Sequence, residues 1–214
     1  MIDSTNIKPD ATKEQIIKLC KDAIKYGFGC VAINPTYVSL AVKLVEGSEV
    51  KVCSTVGFPY GATLSEAKAY EARKVVELGA KEIDMVMNIS AFKSGDYELV
   101  KRDIEAVVAV KEQNPNVIVK VIIETGLLKT EEEKMKACKL VKDAGADFVK
   151  TSVGTFGKAT VEDVRLIRRV VGENFGVKAA GGIRTYQDAI RMIEAGANRI
   201  GTSTAVKIIE GAFS

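Results

Sequence analysis

A glycine placed to close a helix is followed five residues later by a singular position in an apolar strand, three times along the chain: Gly79 by Asp84, Gly145 by Lys150 and Gly196 by Gly201. A helix-to-strand unit repeated in this register delivers an acid, an amine and a glycine to equivalent places. It restricts the fold to architectures in which parallel strands are joined through helices. Strands are predicted from Cys30 to Asn34, Val50 to Phe58, Glu82 to Asn88, Val117 to Thr125, Asp147 to Ser152, Gly176 to Gly181 and Arg199 to Ser203, with Ile2 to Thr5 as an eighth. All are near-continuous apolar runs, as expected of parallel strands covered by helices. Between them Ile16, Leu19, Cys20, Ala23 and Ile24 keep one helical face apolar, as do Val100, Ile104, Val107 and Val108.

Helix starts are marked by Thr-x-x-acid/Gln patterns at Thr12/Gln15, Thr63/Glu66, Thr130/Glu133, Thr160/Asp163 and Thr185/Asp188. The threonine oxygen can accept from an orphan N–H while the longer side chain reaches back, the Asp versions with shorter reach. Gly27, Gly79, Gly145, Gly172 and Gly196 stand where helices end and a left-handed residue is needed. Eight such units predict a single-domain α/β chain, a (β/α)8 TIM barrel over residues 1–214. A doubly wound open sheet is the competing architecture, but no Gly-x-Gly-x-x-Gly turn opens the first unit.

Composition narrows the chemistry. There is no histidine, which removes the commonest general base, the Ser-His and Cys-His nucleophile pairs and the commonest metal ligand. Lysine and carboxylate must then do any catalytic work, and neither a metal nor another cofactor is expected. A net charge of +3 spread over interleaved lysines and glutamates is a solvated surface, with no argument for nucleic acid. No signal peptide and no run near the length of a membrane span are seen. Cys20, Cys30, Cys53 and Cys138 form no CxxC pair and are expected as reduced core residues of a cytoplasmic protein.

Four strands carry an ionisable residue that breaks their apolar pattern: Asp84, Lys120, Lys150 and Lys178. In a barrel, strand alternation lets them point inward together, and catalytic groups collect at the strands' C-terminal ends. Each alone could be an isolated buried pair, Asp84 with Lys178 for instance. Four together are expensive as structure only. A desolvated lysine beside another ammonium has a depressed pKa and becomes a free-amine nucleophile. Lys150, with Lys178 as its depressing neighbour, would form a Schiff base with a carbonyl, and Asp84 could take and return the proton at the adjacent carbon. Gly181-Gly182 and Gly201-Thr202-Ser203-Thr204, with Gly154 after Lys150, suit a phosphate cradle of backbone N–H groups and hydroxyls after the last two strands. They can also be plain turn residues.

At these residues the chain resembles the deoxyribose-phosphate aldolase family, from Ile2 to the last helix. The matching segments include Val52-Cys53-Ser54-Thr55-Val56-Gly57-Phe58-Pro59, Glu82-Ile83-Asp84-Met85-Val86, Lys120-Val121-Ile122-Ile123-Glu124-Thr125, Asp147-Phe148-Val149-Lys150-Thr151-Ser152 and Val177-Lys178-Ala179-Ala180-Gly181-Gly182-Ile183-Arg184-Thr185. The resemblance implies reversible cleavage of 2-deoxyribose 5-phosphate to glyceraldehyde 3-phosphate and acetaldehyde by a class I aldolase. It makes Lys150 the Schiff-base lysine and Asp84 and Lys178 the proton-relay pair. Gly154, Gly181, Gly182, Gly201 and Ser203 would hold phosphate, Lys120 and Asp3 would lie in the same polar network, and Thr151 and Thr5 would approach the sugar. It also suggests a homodimer or homotetramer. The chain departs from the family pattern at Ser4, where relatives have histidine, at Val153 in place of a threonine, at Ala32 in place of a cysteine, and in its Gly211-Ala212-Phe213-Ser214 end without a terminal tyrosine. A non-catalytic phosphosugar-binding barrel, or a related Schiff-base aldolase or transaldolase, are the alternative readings.

Overall fold

A computed structural model describes residues 1–212, so the Phe213-Ser214 end singled out above lies outside the described residues. Eight parallel strands close on themselves in chain order: β1 (Ile2–Asn6), β2 (Cys30–Ile33), β3 (Lys51–Val56), β4 (Glu82–Val86), β5 (Ile118–Ile122), β6 (Phe148–Lys150), β7 (Gly176–Ala180) and β8 (Arg199–Thr202). Pairing of β1 with both β2 and β8 completes the barrel, which rules out the open doubly wound sheet. The helices are α1 (Lys13–Tyr26), α2 (Val38–Val45), α3 (Ser65–Glu77), α4 (Ile89–Lys93), α5 (Tyr97–Val108), α6 (Glu131–Asp143), α7 (Val161–Val171), α8 (Tyr186–Glu194) and α9 (Ala205–Glu210). No helix among the described residues is long and apolar enough to cross a membrane. The strands are shorter than predicted mostly at their C-terminal ends, because Phe58, Asn88, Thr125 and Ser152 belong to the mouth loops rather than to the ladder.

Alternation divides each strand between two environments. Ile83, Met85, Val119, Val121, Val149, Val177 and Ala179 join the large apolar core with helix residues such as Ile104, Val107, Val141 and Ile167. The residues between them, Glu82, Asp84, Lys120, Lys150 and Lys178, are buried on the inner side and bond to one another. The barrel interior is therefore ionic from the start of β4 upward, where most such barrels are filled by branched apolar side chains. All four cysteines are free and buried, and burial pushes the Cys138 thiol up to about 12.

Three of the five expected capping boxes form in full, at Thr12, Thr130 and Thr185. Thr160 accepts from Asp163 N–H, but Asp163 does not reach back. Its carboxylate meets Lys134 at 2.6 Å instead. The Thr63/Glu66 expectation is wrong: α3 begins at Ser65 with Leu64 before it and no side-chain cap. The preceding turn is set by a long-range contact, since a Cβ at Gly61 would come 2.1 Å from the Met87 carbonyl oxygen, and this moves the helix start past Thr63. The five expected helix-closing glycines all have positive φ, between 65° and 109°.

Candidate active site

Asp84 stands at the centre of the inner network. Its Oδ2 accepts from Lys150 Nζ at 2.7 Å and from Lys178 Nζ at 2.7 Å, and its Oδ1 from Lys120 Nζ at 2.9 Å. Register makes this possible: Asp84 lies beside Lys120 across β4 and β5, and Lys150 beside Lys178 across β6 and β7. A second layer lies beneath. Lys178 reaches Asp3 Oδ2 at 2.5 Å, Lys120 reaches Glu82 Oε2 at 2.8 Å, and Arg199 joins Asp3 to Glu82. The alternative of an isolated Asp84–Lys178 pair gives way to a continuous network. It holds three carboxylates (Asp3, Glu82, Asp84) against four cations (Lys120, Lys150, Lys178, Arg199). One proton fewer would make it neutral, and the cation best placed to give one up is identified by its surroundings.

That cation is Lys150. Burial lowers its pKa and the Lys178 ammonium lowers it further, while Asp84 works against both without cancelling them. Lys178 goes the other way: burial disfavours its charge, but Asp3 and Asp84 outweigh burial and keep it protonated. Lys120 is likewise held charged despite burial, chiefly by Asp84. Burial would raise the Asp84 pKa, yet Lys120, Lys150 and Lys178 together hold it well below the usual carboxylate range. Three lysines of one type thus acquire two protonation tendencies from geometry alone. Asp84 is correspondingly a weak base, because the Lys120 and Lys178 ammoniums stabilise its anion.

Above this network the mouth is built from loops. Gly154 and Gly181 face each other, a Cβ on Gly154 falling 3.9 Å from Gly181 Cα, and Gly182 lies under the methylenes of Lys158. Ser152 Oγ donates to Gly157 O and accepts from Gly154 N–H, and Ala159 N–H donates to Gly181 O. Gly154, Gly181 and Gly182 are therefore one cluster. Gly201 belongs elsewhere: it sits within β8, where a Cβ would come 3.0 Å from Lys178 Cε, so its smallness makes room for the lysine. Ser203 is exposed just past β8. Thr151 is buried and exchanges hydrogen bonds with Ala180, its Oγ1 donating to the carbonyl and accepting from the N–H, which ties β6 to β7 and occupies both functions of the hydroxyl. Thr5 Oγ1 donates to Asp3 O.

Sequence reasoning missed Glu82, Arg199, Cys53 and Glu124. Glu82 and Arg199 were legible, since each lies two residues from a position already singled out, Asp84 and Gly201, and so shares its strand face. Cys53 Sγ accepts from Lys120 at 3.3 Å. Cys30, Cys53 and Glu82 bring donor atoms within 4.8 Å of one another, a spacing that could suit a metal. Lys120 already donates to Cys53 and pairs with Glu82, and Arg199 pairs with Glu82, so Glu82 serves these cations as counter-charge, while burial pushes the Cys30 thiol up. Glu124 had no signal except a charge just beyond a strand end.

A closed barrel whose inner strand ends hold a desolvated lysine against a carboxylate and a second lysine defines a class of enzyme that works through amine chemistry on carbonyl compounds. Comparison with known proteins places the chain more narrowly. A family model described as DeoC/LacD family aldolase matches residues 2–211. Deoxyribose-phosphate aldolase of Thermococcus gammatolerans is 63% identical over 214 residues, covering 99% of this chain and 94% of that one. The protein of the same name from Thermococcus kodakarensis is 62% identical over 99% of this chain and 95% of its own. A solved deoxyribose phosphate aldolase from Aeropyrum pernix, described as having a unique tetrameric structure, has a TM-score of 0.92 at 38% identity, the match covering 100% of this chain and 89% of that one. The chain belongs to the DeoC/LacD family of aldolases, and it is an enzyme, a carbon–carbon lyase.

Proposed function

We propose that the chain, one aldolase domain over residues 1–214, reversibly cleaves 2-deoxy-D-ribose 5-phosphate to D-glyceraldehyde 3-phosphate and acetaldehyde through a Schiff base on Lys150. The observation that carries this is a buried amine with a lowered pKa, 2.7 Å from Asp84 and adjacent to Lys178. The relatives' names support the substrate. In the cleavage direction the free Lys150 amine adds to C1 of the open-chain sugar, and loss of water gives the iminium. The C2–C3 bond then breaks, its electron pair moving into the iminium to leave an enamine, while the C3 hydroxyl gives up its proton and becomes the new aldehyde. A proton added at C2 and hydrolysis by water release acetaldehyde and restore the amine.

Asp84 and Lys178 carry the protons. Their resting charges put a proton on Lys178 and none on Asp84, so Lys178 is the donor and Asp84 the group that holds and restores it. Lys120 and Asp3 keep that pair in place from below. Gly154, Gly181 and Gly182, with Ser203 just past β8, form the phosphate side and Thr5 lies toward the sugar, while Gly201 makes room for Lys178 and Thr151 ties β6 to β7. The working form is a homo-oligomer, a dimer or tetramer, in the cytoplasm. The tetrameric Aeropyrum pernix relative supports the first and the free cysteines the second.

Incubation with acetaldehyde and borohydride, followed by peptide mapping, tests the reading. An ethyl adduct on Lys150 that vanishes in Lys150→Ala is expected, together with cleavage in a coupled aldehyde assay. No adduct, or one on surface lysines only, overturns it. An adduct at Lys150 without cleavage of the deoxyribose phosphate shows a Schiff-base enzyme with another acceptor.

A further inference from the structure

Glu124 is the one described non-glycine residue with positive φ, at 52°. It lies two residues past the end of β5, its side chain is fully buried, and its Oε1 has no hydrogen-bond partner. A glutamate rarely adopts this conformation, and residues that do so cluster at functional sites. What the conformation achieves is specific: Oε2 accepts from Val153 N–H at 2.8 Å. Val153 begins the loop that leads from Lys150 into Gly154. The same loop is pressed against the β5 side by Gly126 and Gly157, each of which would place a Cβ within 2.8 Å of the other's Cα. On its far side it is held by Ala159 N–H donating to Gly181 O. Burial raises the Glu124 pKa, and the Val153 N–H pulls against that rise. Every other acid in the barrel interior is matched to lysine or arginine. Glu124 is instead matched to loop backbone.

We infer that Glu124 is a positioning residue for the phosphate side of the site, holding the Val153–Gly154 backbone against Gly181 so that the cluster accepts a phosphorylated substrate. It acts through the loop and leaves the amine chemistry to Lys150. The inference deepens the proposed function and rests on it. Its signature is selectivity: losing the carboxylate weakens recognition of the 5-phosphate far more than it weakens the reaction of the unphosphorylated sugar.

The test compares 2-deoxyribose 5-phosphate with 2-deoxyribose for the wild type, Glu124→Ala, Glu124→Gln and Glu124→Asn, with acetaldehyde–borohydride trapping run on each. For Glu124→Ala a rise of about tenfold or more in KM for the phosphorylated substrate is expected, a change that corresponds to ~1.4 kcal/mol, with a much smaller change for 2-deoxyribose and trapping retained. Glu124→Gln keeps an amide oxygen able to accept from Val153 and should recover most of the loss. Glu124→Asn tolerates positive φ but is one methylene short, so it should behave as Glu124→Ala does and carries the test if the alanine variant does not fold. Equal losses on both substrates, or no loss in either short variant, overturn the inference. A wild type that traps no aldehyde overturns the proposed function instead.

Discussion

Lys150, Lys178 and Lys120 differ in what surrounds them and in nothing else. Lys178 touches Asp3 and Asp84, and Lys120 touches Glu82 and Asp84, whereas Lys150 touches only Asp84 and lies beside an ammonium. Coulomb energy at these distances is large enough to decide protonation in a buried site. Replacing Lys178 by leucine removes the charge that depresses Lys150. The amine then becomes more basic, and the ascending limb of the pH–rate profile should move to higher pH. The profile of kcat/KM against pH, with trapping at each pH, checks this; a limb that stays in place while the rate falls would show that Lys178 acts only as a proton donor. The same variant leaves Asp3 and Asp84 one cation short in a buried site, so a loss of stability of roughly 3–5 kcal/mol is expected alongside. At this scale the sequence was informative about identities, since Lys150, Asp84, Lys178 and Lys120 each broke an apolar run. It was silent on Glu124, whose importance lies in a backbone angle and a contact with Val153.

Among the elements, helix starts were readable where the cap is a local event and misread where it is not. Thr12, Thr130 and Thr185 bond within their own first turns, so four residues of sequence suffice to predict them. The start of α3 depends on Gly61 passing the Met87 backbone and on a buried ion pair that joins α3 to α5. Lys68 Nζ meets Asp103 Oδ2 at 2.6 Å with both side chains fully buried, and it also donates to Val86 O. Burial lowers the Lys68 pKa and raises that of Asp103, so each group is pushed toward neutrality and the partner only partly offsets it. Asp103→Ala should therefore cost roughly 3–5 kcal/mol by stranding an ammonium, whereas the double variant Lys68→Met/Asp103→Leu should fall near wild type or above it. Urea unfolding of the two variants measures the difference. A mild single variant would mean that Val86 O and penetrating water suffice for Lys68.

For the whole molecule, the ionic interior couples folding to pH. Asp3 and Asp84 have folded-state pKa values below their unfolded ones, so their contribution is complete above the unfolded value of about 3.9 and is lost as pH falls toward the folded values. Lys120 and Lys178 have raised values. Their contribution is complete below the unfolded value of about 10.4 and is lost only as pH rises through the folded values. Asp103 and Glu124 oppose the acid limb, both being raised by burial, but Asp84 is held well below the usual carboxylate range by its lysines and outweighs them. The urea midpoint should change little near neutral pH and fall below pH ~4; a midpoint that holds steady well into acid would show that the network contributes little to folding. The alternation of capped helices and apolar strands, and the charges interrupting those strands, determined by themselves that this chain forms a (β/α)8 barrel with lysine and aspartate inside. These are local patterns, encoded in neighbouring residues. Which lysine loses its proton, that Glu82 and Arg199 complete the network, that Gly201 makes room for Lys178, and that Glu124 holds Val153 were decided only by tertiary structure. Each depends on distances between strands far apart in the chain, and electrostatic and steric energies follow distance, not order.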